Sequence, residues 1–183
     1  VVPVTDVMLV NGAPALVMPL VDGCSLADVL EEYEPTEWEA AAILYAVTCG
    51  ISSTHEIGVI HLDLKPSNVL LDIKHGRVRV RVSDFGLALQ PEDSARWEDM
   101  FLGTPGFAAP EQYRGHQHVD RRADLWAIGA IFVHMLTGAP PYLAESLNDT
   151  YALMEESAYN FERLPSRWRE LARRLLQRDA KLR

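Results

Sequence analysis

Cysteine, basic charge and long apolar runs are all scarce in this chain, and each scarcity excludes something. Of 183 residues only two are cysteines, Cys24 and Cys49, with no C-x-x-C pair. Neither a disulfide framework nor a zinc knuckle is therefore implied, and both thiols are expected in the core. Lysine and arginine number 17 against 26 Asp and Glu, for a net charge of −9, and they are scattered along the chain. That balance gives no electrostatic footprint for nucleic acid or an anionic membrane surface, and both partners are set aside. The opening stretch VVPVTDVMLV has no basic region and no small-residue cleavage site, so it does not read as a signal peptide, and the compartment reads as cytoplasmic. The most apolar segment, Ala127 to Met135, is far shorter than the roughly 18 to 20 residues that cross a bilayer. It reads instead as a helix buried on all sides. There is no internal repeat and no low-complexity tract. What is present is the length and the 48% apolar fraction of one globular domain or a large piece of one.

Periodicity and punctuation organise the chain as strands first, then mostly helix. VVPVTDV and ALVMPLV flank the turn signal NGAP, which predicts a hairpin over residues 1–21. SLADVLEEY opens on a serine N-cap. PTEWEAAAILYAVTCGISSTHEIG then gives a long helix with acids in its first turn and Gly58 at its end. NVLLDIKHGRVRVRVSDFG reads as two short strands around KHG, and Val78, Val80 and Val82 alternate with Arg77, Arg79 and Arg81, predicting one apolar and one wet face. Further helices are expected near 121–136, 145–156 and 166–178.

Between the long helix and those strands lies HLDLKPSNVLL, residues 61–71. Asp, Lys, Pro, Ser and Asn in a cluster are ordinary turn formers. The stretch nevertheless matches the kinase catalytic loop H-R-D-L-x-x-x-N at every fixed position except the arginine, where Leu62 stands. DFG follows at 84–86, and GTPGFAAPE at 103–111 contains the A-P-E element, so three elements occur in the family's order. On these motifs the chain resembles the eukaryotic-type serine/threonine protein kinases along its whole length, and GTPGFAAPEQ looks most like those of bacteria.

The resemblance implies an α+β, protein-kinase-like fold that is truncated: a mainly helical C-lobe with short β-hairpins over 22–183, lacking its last helix, and an N-lobe remnant of two strands and the hinge over 1–21. It implies ATP and Mg²⁺ as cofactors. Asp63 would be the base that hydrogen-bonds the acceptor hydroxyl, Lys65 would place an ammonium at the transferring phosphoryl, and Thr104 would contact both. Asn68 and Asp84 would supply hard oxygens to Mg²⁺. In the hinge, the carbonyl of Pro19 and the backbone groups of Val21 would receive the adenine edge, with Met18 limiting the pocket behind it and Leu70 forming its floor. A protein substrate would dock near residues 103–111.

Other matches are architectural. Asp124 resembles the acid that accepts hydrogen bonds from the catalytic-loop backbone, and Glu111 with Arg183 resembles the ion pair that fastens the activation segment. Val4, His61 and Phe85 resemble a stacked column joining the lobes. His55, His75 and His134 read as packing or turn residues, and His116 with His118 makes a poor metal site.

The pattern also departs from the family. With leucine at 62 there is no arginine beside Asp63 to hold a phosphorylated activation loop. Ser94 is the only hydroxyl between Phe85 and Gly103. No glycine-rich phosphate loop, V-A-I-K lysine or helix carrying its glutamate occurs in the chain. The hairpin at 1–21 is accordingly expected to be mobile, or covered by the missing N-lobe or another chain, because two isolated strands are marginally stable. The 183-residue chain alone is expected to be nearly inert. A pseudokinase scaffold is the alternative from another class, disfavoured by retention of Asp63, Lys65, Asn68 and Asp84. A small-molecule phosphotransferase of related fold is disfavoured by the GTPGFAAPE segment.

Overall fold

In a computed structural model of the chain, residues 1–85, 101–115 and 119–183 are described. Ser94, His116 and His118 lie outside them. The first hairpin pairs β1 (Asp6–Val10) with β2 (Ala13–Val17) antiparallel around Asn11 and Gly12, both at positive φ. Such a turn matches the strands' right-handed twist, which is why Asn-Gly marks it. Residues 1–5 lie outside the strand, although Val2 is buried and donates its N–H to Val82 O at 2.8 Å. Val7, Leu9 and Leu16 on the hairpin stay exposed.

A second sheet has the order β3-β4-β5: Gly23–Ser25, Val69–Lys74 and Arg77–Val82, antiparallel throughout. The turn between β4 and β5 is His75 and Gly76, again at positive φ. The three-residue β3 was not expected: it lies between the predicted hairpin and the first predicted helix. Its pairing places Gly23 so close to β4 that a Cβ there would stand 1.9 Å from Leu71 O. The valine alternation along β5 is buried only toward its end: Val82 is buried, Val80 half-buried and Val78 60% exposed. The apolar face expected of that strand is thus covered only toward its Val82 end, where the core reaches it.

The first two helices begin where their caps predict. α1 (Leu26–Glu32) starts after Ser25, whose Oγ accepts from Asp28 N while Asp28 Oδ2 accepts from Ser25 N. α2 (Glu37–His55) starts after Thr36, with the same reciprocal arrangement to Glu39. These capping boxes satisfy donors that a helix end would otherwise leave unpaired. α3 (Pro110–Tyr113) is a single turn; α4 (Arg122–Thr137), α5 (Leu147–Glu155) and α6 (Ser166–Leu175) follow. α4 stops at Gly138, which takes the left-handed conformation of a C-terminal cap.

Eleven of the sixteen residues of α4 are buried, as its sequence predicts. Its two sides feed two apolar clusters. Ile128, Ile131 and Phe132 pack with Val47, Leu64 and Val69, whereas Trp126, Ala130 and Val133 pack with Leu62, Met154 and Leu176. The cysteines do not follow expectation. Cys24 is half-buried, and Cys49 is exposed on the outer face of α2, near the exposed Tyr45.

Four carboxyls are held below their ordinary range by local hydrogen bonds. The Ser25 backbone acts on Asp28, the Thr36 hydroxyl on Glu39, the Arg81 side chain on Asp72 and the Arg122 side chain on Asp120. A depressed folded-state value means that the stabilisation is complete above the unfolded value of about 4 and disappears as pH falls through the folded value. Thermal melts should therefore show a midpoint that is steady near neutrality and drops between about pH 4.5 and pH 3. A midpoint indifferent to pH over that range would contradict these pairings.

Candidate active site

The segment 61–68 is built on an alternation. Leu62 sits in one apolar cluster and Leu64 in the other, so Asp63 and Lys65 are left partly exposed between two buried anchors. Leu62 adopts φ +64, an unusual conformation for a leucine. It is held from outside the loop: Asp124, fully buried on α4, accepts His61 N and Leu62 N, each at 2.9 Å, and the Nε2 of His55 lies 2.8 Å from the same carboxylate. A buried carboxylate persists only with such partners.

His61 is fully buried and packs against Phe85 with tilted rings, centroids 4.4 Å apart. Its Nε2 donates to Ser83 O at 3.0 Å, which leaves Nδ1 to accept from Asp63 N at 3.4 Å. Val4 is 50% exposed, so of the three residues expected in a column only two pack together.

Asp63, Lys65 and Thr104 close a triangle. Lys65 Nζ donates to Asp63 Oδ2 at 2.8 Å and to Thr104 Oγ1 at 2.9 Å, while Thr104 Oγ1 donates to Asp63 Oδ1 at 2.6 Å. The short hydroxyl-to-carboxylate distance is that of a charge-assisted bond. Thr104 also begins a turn, its carbonyl accepting from Phe107 N and Ala108 N. Asn68 is buried and gives its Nδ2 to Asp63 O at 2.9 Å, so its amide oxygen is the atom left to face a ligand. The backbone oxygen of Asn68 receives Ser83 N at 2.9 Å, which brings Asp84, exposed and at φ +62, close to the loop.

The hinge residues and Asp84 share one space. A cleft of about 630 Å³ is lined by Met18, Pro19, Val21, Leu70 and Asp84, among others. A somewhat larger hollow of about 680 Å³ lies between α2 and β5 and includes none of the candidate residues. The cleft of about 630 Å³ is the one that brings the hinge residues together with Leu70, Ser83 and Asp84. A third cleft, of about 480 Å³, touches Lys65, Thr104, Phe107 and His134. His134 stacks on Phe107 at 5.9 Å, and burial keeps its imidazole below the ordinary histidine value, hence neutral at pH 7.

Distant ties hold the same region. Arg183, fully buried at its side chain, bonds both Glu111 oxygens at 2.5 and 2.8 Å and lies over the Trp126 ring. Two polar residues in the site's support escaped the sequence reading. One is His55, read as packing and instead facing Asp124. The other is Gln112, 1% exposed, which bonds Leu62 O, Leu102 O and Ala109 N. The local signal for it is Gln112 at the third position of α3, two residues after Pro110, where a glutamine side chain can accept from the cap backbone.

Among the described residues no cluster of three or more His, Cys, Asp or Glu stands ready for a metal ion, and no helix is long and apolar enough to cross a membrane. A hard cation that takes few protein ligands, one of them an asparagine, needs no such cluster.

Comparison with known proteins gives this arrangement its class. The protein kinase domain family matches residues 1–183, and the chain belongs to that family. It is 35% identical over 147 residues to calcium/calmodulin-dependent protein kinase type II of Caenorhabditis briggsae, covering 80% of this chain and 27% of that protein. With death-associated protein kinase 2 of Homo sapiens the identity is 34% over 166 residues, covering 89% of this chain and 44% of the relative. The chain thus spans less than half the length of these relatives. Its α+β fold, with six helices and short antiparallel strands among the described residues, fits the family.

Proposed function

We propose that the full-length protein transfers the γ-phosphoryl group of ATP to serine or threonine hydroxyls of other proteins, with residues 22–183 forming the lobe that carries the chemistry and 1–21 contributing two strands and the hinge. The observation that carries this reading is the triangle of Asp63, Lys65 and Thr104. Phosphoryl transfer asks the protein mainly for positioning and for charge placed where negative charge accumulates. Asp63 accepts the hydrogen of the substrate hydroxyl. Lys65, held on Asp63 and Thr104, presents its ammonium to the transferring group. Thr104 ties the activation segment to both, so a protein substrate docked near 103–111 meets an ordered base.

ATP lies in the cleft of Met18, Pro19, Val21 and Leu70. Its adenine edge meets the Pro19 carbonyl and the Val21 backbone, Met18 limits the depth and Leu70 is the floor. Asn68 and Asp84 would hold Mg²⁺, and their oxygens are the donor type that ion prefers. When bound, Mg²⁺ offsets charge on the nucleotide phosphates. The two free thiols favour the cytoplasm as the place of action, and the likeness to bacterial members of the family rests on GTPGFAAPEQ alone.

The binding half of this reading is tested without turnover. By titration calorimetry, Asp84→Ala should weaken Mg²⁺-dependent ATP binding about ten-fold or more while leaving Mg²⁺-free binding within about three-fold. Equal affinities for both proteins in the presence of Mg²⁺ would remove Asp84 from the metal site.

Leu62 also bears on regulation. Its side chain is 3% exposed among Ala109 and Trp126, a setting that suits leucine and offers a phosphate no cation. Ser94→Ala should accordingly leave activity within about three-fold of the parent. A loss of about a hundred-fold would show that loop phosphorylation does switch this protein.

A further inference from the structure

We infer that Gln112 is a positioning residue: a neutral crossbar that sets the catalytic loop and the activation segment in working register, doing by a buried amide what a loop phosphate on an arginine would otherwise do. The inference rests on the kinase reading above and adds a residue to its site.

The geometry is specific. The Gln112 Nε2 donates both its hydrogens, to Leu62 O at 2.7 Å and to Leu102 O at 2.7 Å, and its Oε1 accepts from Ala109 N at 2.8 Å. With two carbonyls on one side and an N–H on the other, only this orientation of the amide is satisfied. The two carbonyls belong to the residues that matter. Leu62 immediately precedes Asp63, and Leu102 lies two residues before Thr104. Gln112 therefore ties together the two strands of chain that carry the ends of the Asp63–Thr104 hydrogen bond.

The chain approaches the crossbar closely. Gly103, at φ +128, has no side chain, and a Cβ there would stand 2.9 Å from Gln112 Nε2 and 3.2 Å from Leu62 O. Phe101 packs on Tyr113 with tilted rings, centroids 4.6 Å apart, holding the chain on either side of the amide. Leu62 is held on its other flank, its N–H on Asp124 Oδ1. Its carbonyl and N–H are thus bonded to two different elements, α3 and α4, and its positive φ is over-determined by them.

A mismatch of this pair would move Asp63 relative to Thr104 and Lys65. Displacements of about 1 Å at a reacting group cost up to about a hundred-fold in rate. They leave nucleotide binding alone, because Met18, Pro19, Val21 and Leu70 make no contact with Gln112 in the hydrogen-bond pattern above. A glutamine also carries no charge and needs no modifying enzyme, which suits a site with leucine at position 62.

The experiment compares four samples of the full-length protein in steady-state phosphate transfer: the parent, the parent treated with phosphatase, Gln112→Met and Gln112→Glu. Methionine keeps the length and removes both donors, and glutamate keeps the shape but turns acceptors toward two carbonyls. Circular dichroism checks folding. The inference predicts that Gln112→Met lowers kcat about ten- to a hundred-fold with KM for ATP within about two-fold, that Gln112→Glu loses at least as much, and that phosphatase changes kcat by less than about two-fold. Folded variants with parental kcat would overturn it. So would a rise in KM for ATP as large as the fall in kcat, which marks general loosening, or a large loss after phosphatase. Should neither variant fold, the glutamine is purely structural and the inference falls. A parent that transfers no phosphate at all would refute the kinase reading instead, a separate result.

Discussion

Asp63→Asn in the full-length protein should abolish nearly all phosphate transfer, lowering kcat about 10²- to 10⁴-fold while ATP affinity stays within about three-fold. Asparagine fills the same volume and keeps one oxygen, so the loop is expected to remain folded. What it removes is the carboxylate charge and the acceptor that pulls on the substrate hydroxyl. Lys65, which donates a hydrogen bond to Asp63 Oδ2 at 2.8 Å, loses its ionic partner, and Thr104 Oγ1, at 2.6 Å from Oδ1, keeps only a weaker acceptor or none. The Asn68 bond is made to the Asp63 backbone oxygen and is untouched by the change. This separation of effects is the useful part: the side chain acts on transfer, whereas the backbone of the same residue orders the loop. Parental kcat in a folded Asp63→Asn protein would contradict the role assigned to the carboxylate.

Asp124→Ala should be the most damaging substitution for folding. Its carboxylate accepts the N–H groups of His61 and Leu62 and faces His55, all at 2.8–2.9 Å, with no exposure to water. Removing it leaves two backbone donors and an imidazole unpaired in the interior. Breaking a buried ionic or hydrogen-bonded network from one side costs about 3 to 5 kcal/mol. Domains have only about 5 to 15 kcal/mol in total, so the unfolding midpoint in urea should fall sharply or the protein should fail to accumulate. Asp124→Asn, which retains one acceptor, should lose less. A urea midpoint for Asp124→Ala equal to the parent's would contradict the claim that this carboxylate holds the loop.

How much of this could be read from the sequence depends on how far apart the partners lie. Ser25 and Thr36 were legible as caps because Asp28 and Glu39 stand three residues away, and Asn11-Gly12 announced a turn on its own. The buried character of α4 was equally plain in its unbroken run of apolar residues. β3 was not legible: its three residues are a strand only because Leu70 to Asp72, far along the chain, lie beside them. Burial of Val78 could not be judged from alternation, since alternation says which residues share a face and not whether anything covers it. Cys49 shows the same limit on a helix.

For the site, position in the chain again divides what could be found. Asp63, Lys65 and Asn68 are neighbours in sequence, and their spacing matched a known pattern. Thr104 reaches Asp63 across 41 residues, and only family resemblance pointed to it. Gln112 bonds Leu62 O across 50 residues, although its bonds to Ala109 N and Leu102 O are nearer in sequence, and His55 lies 69 residues from Asp124. Gln112 has the three-residue capping spacing to Ala109 but none that points to Leu62, and His55 has none at all, so only the fold brought forward their ties to the catalytic loop.

The most direct measurement of the central claim is transfer of labelled γ-phosphate from Mg·ATP to a generic basic protein, followed by separation of the phosphoamino acids. The account predicts phosphoserine or phosphothreonine with the full-length protein and almost none with its Asp63→Asn variant; a folded, ATP-binding parent that labels no protein would contradict it and favour a scaffold that keeps the fold without the chemistry.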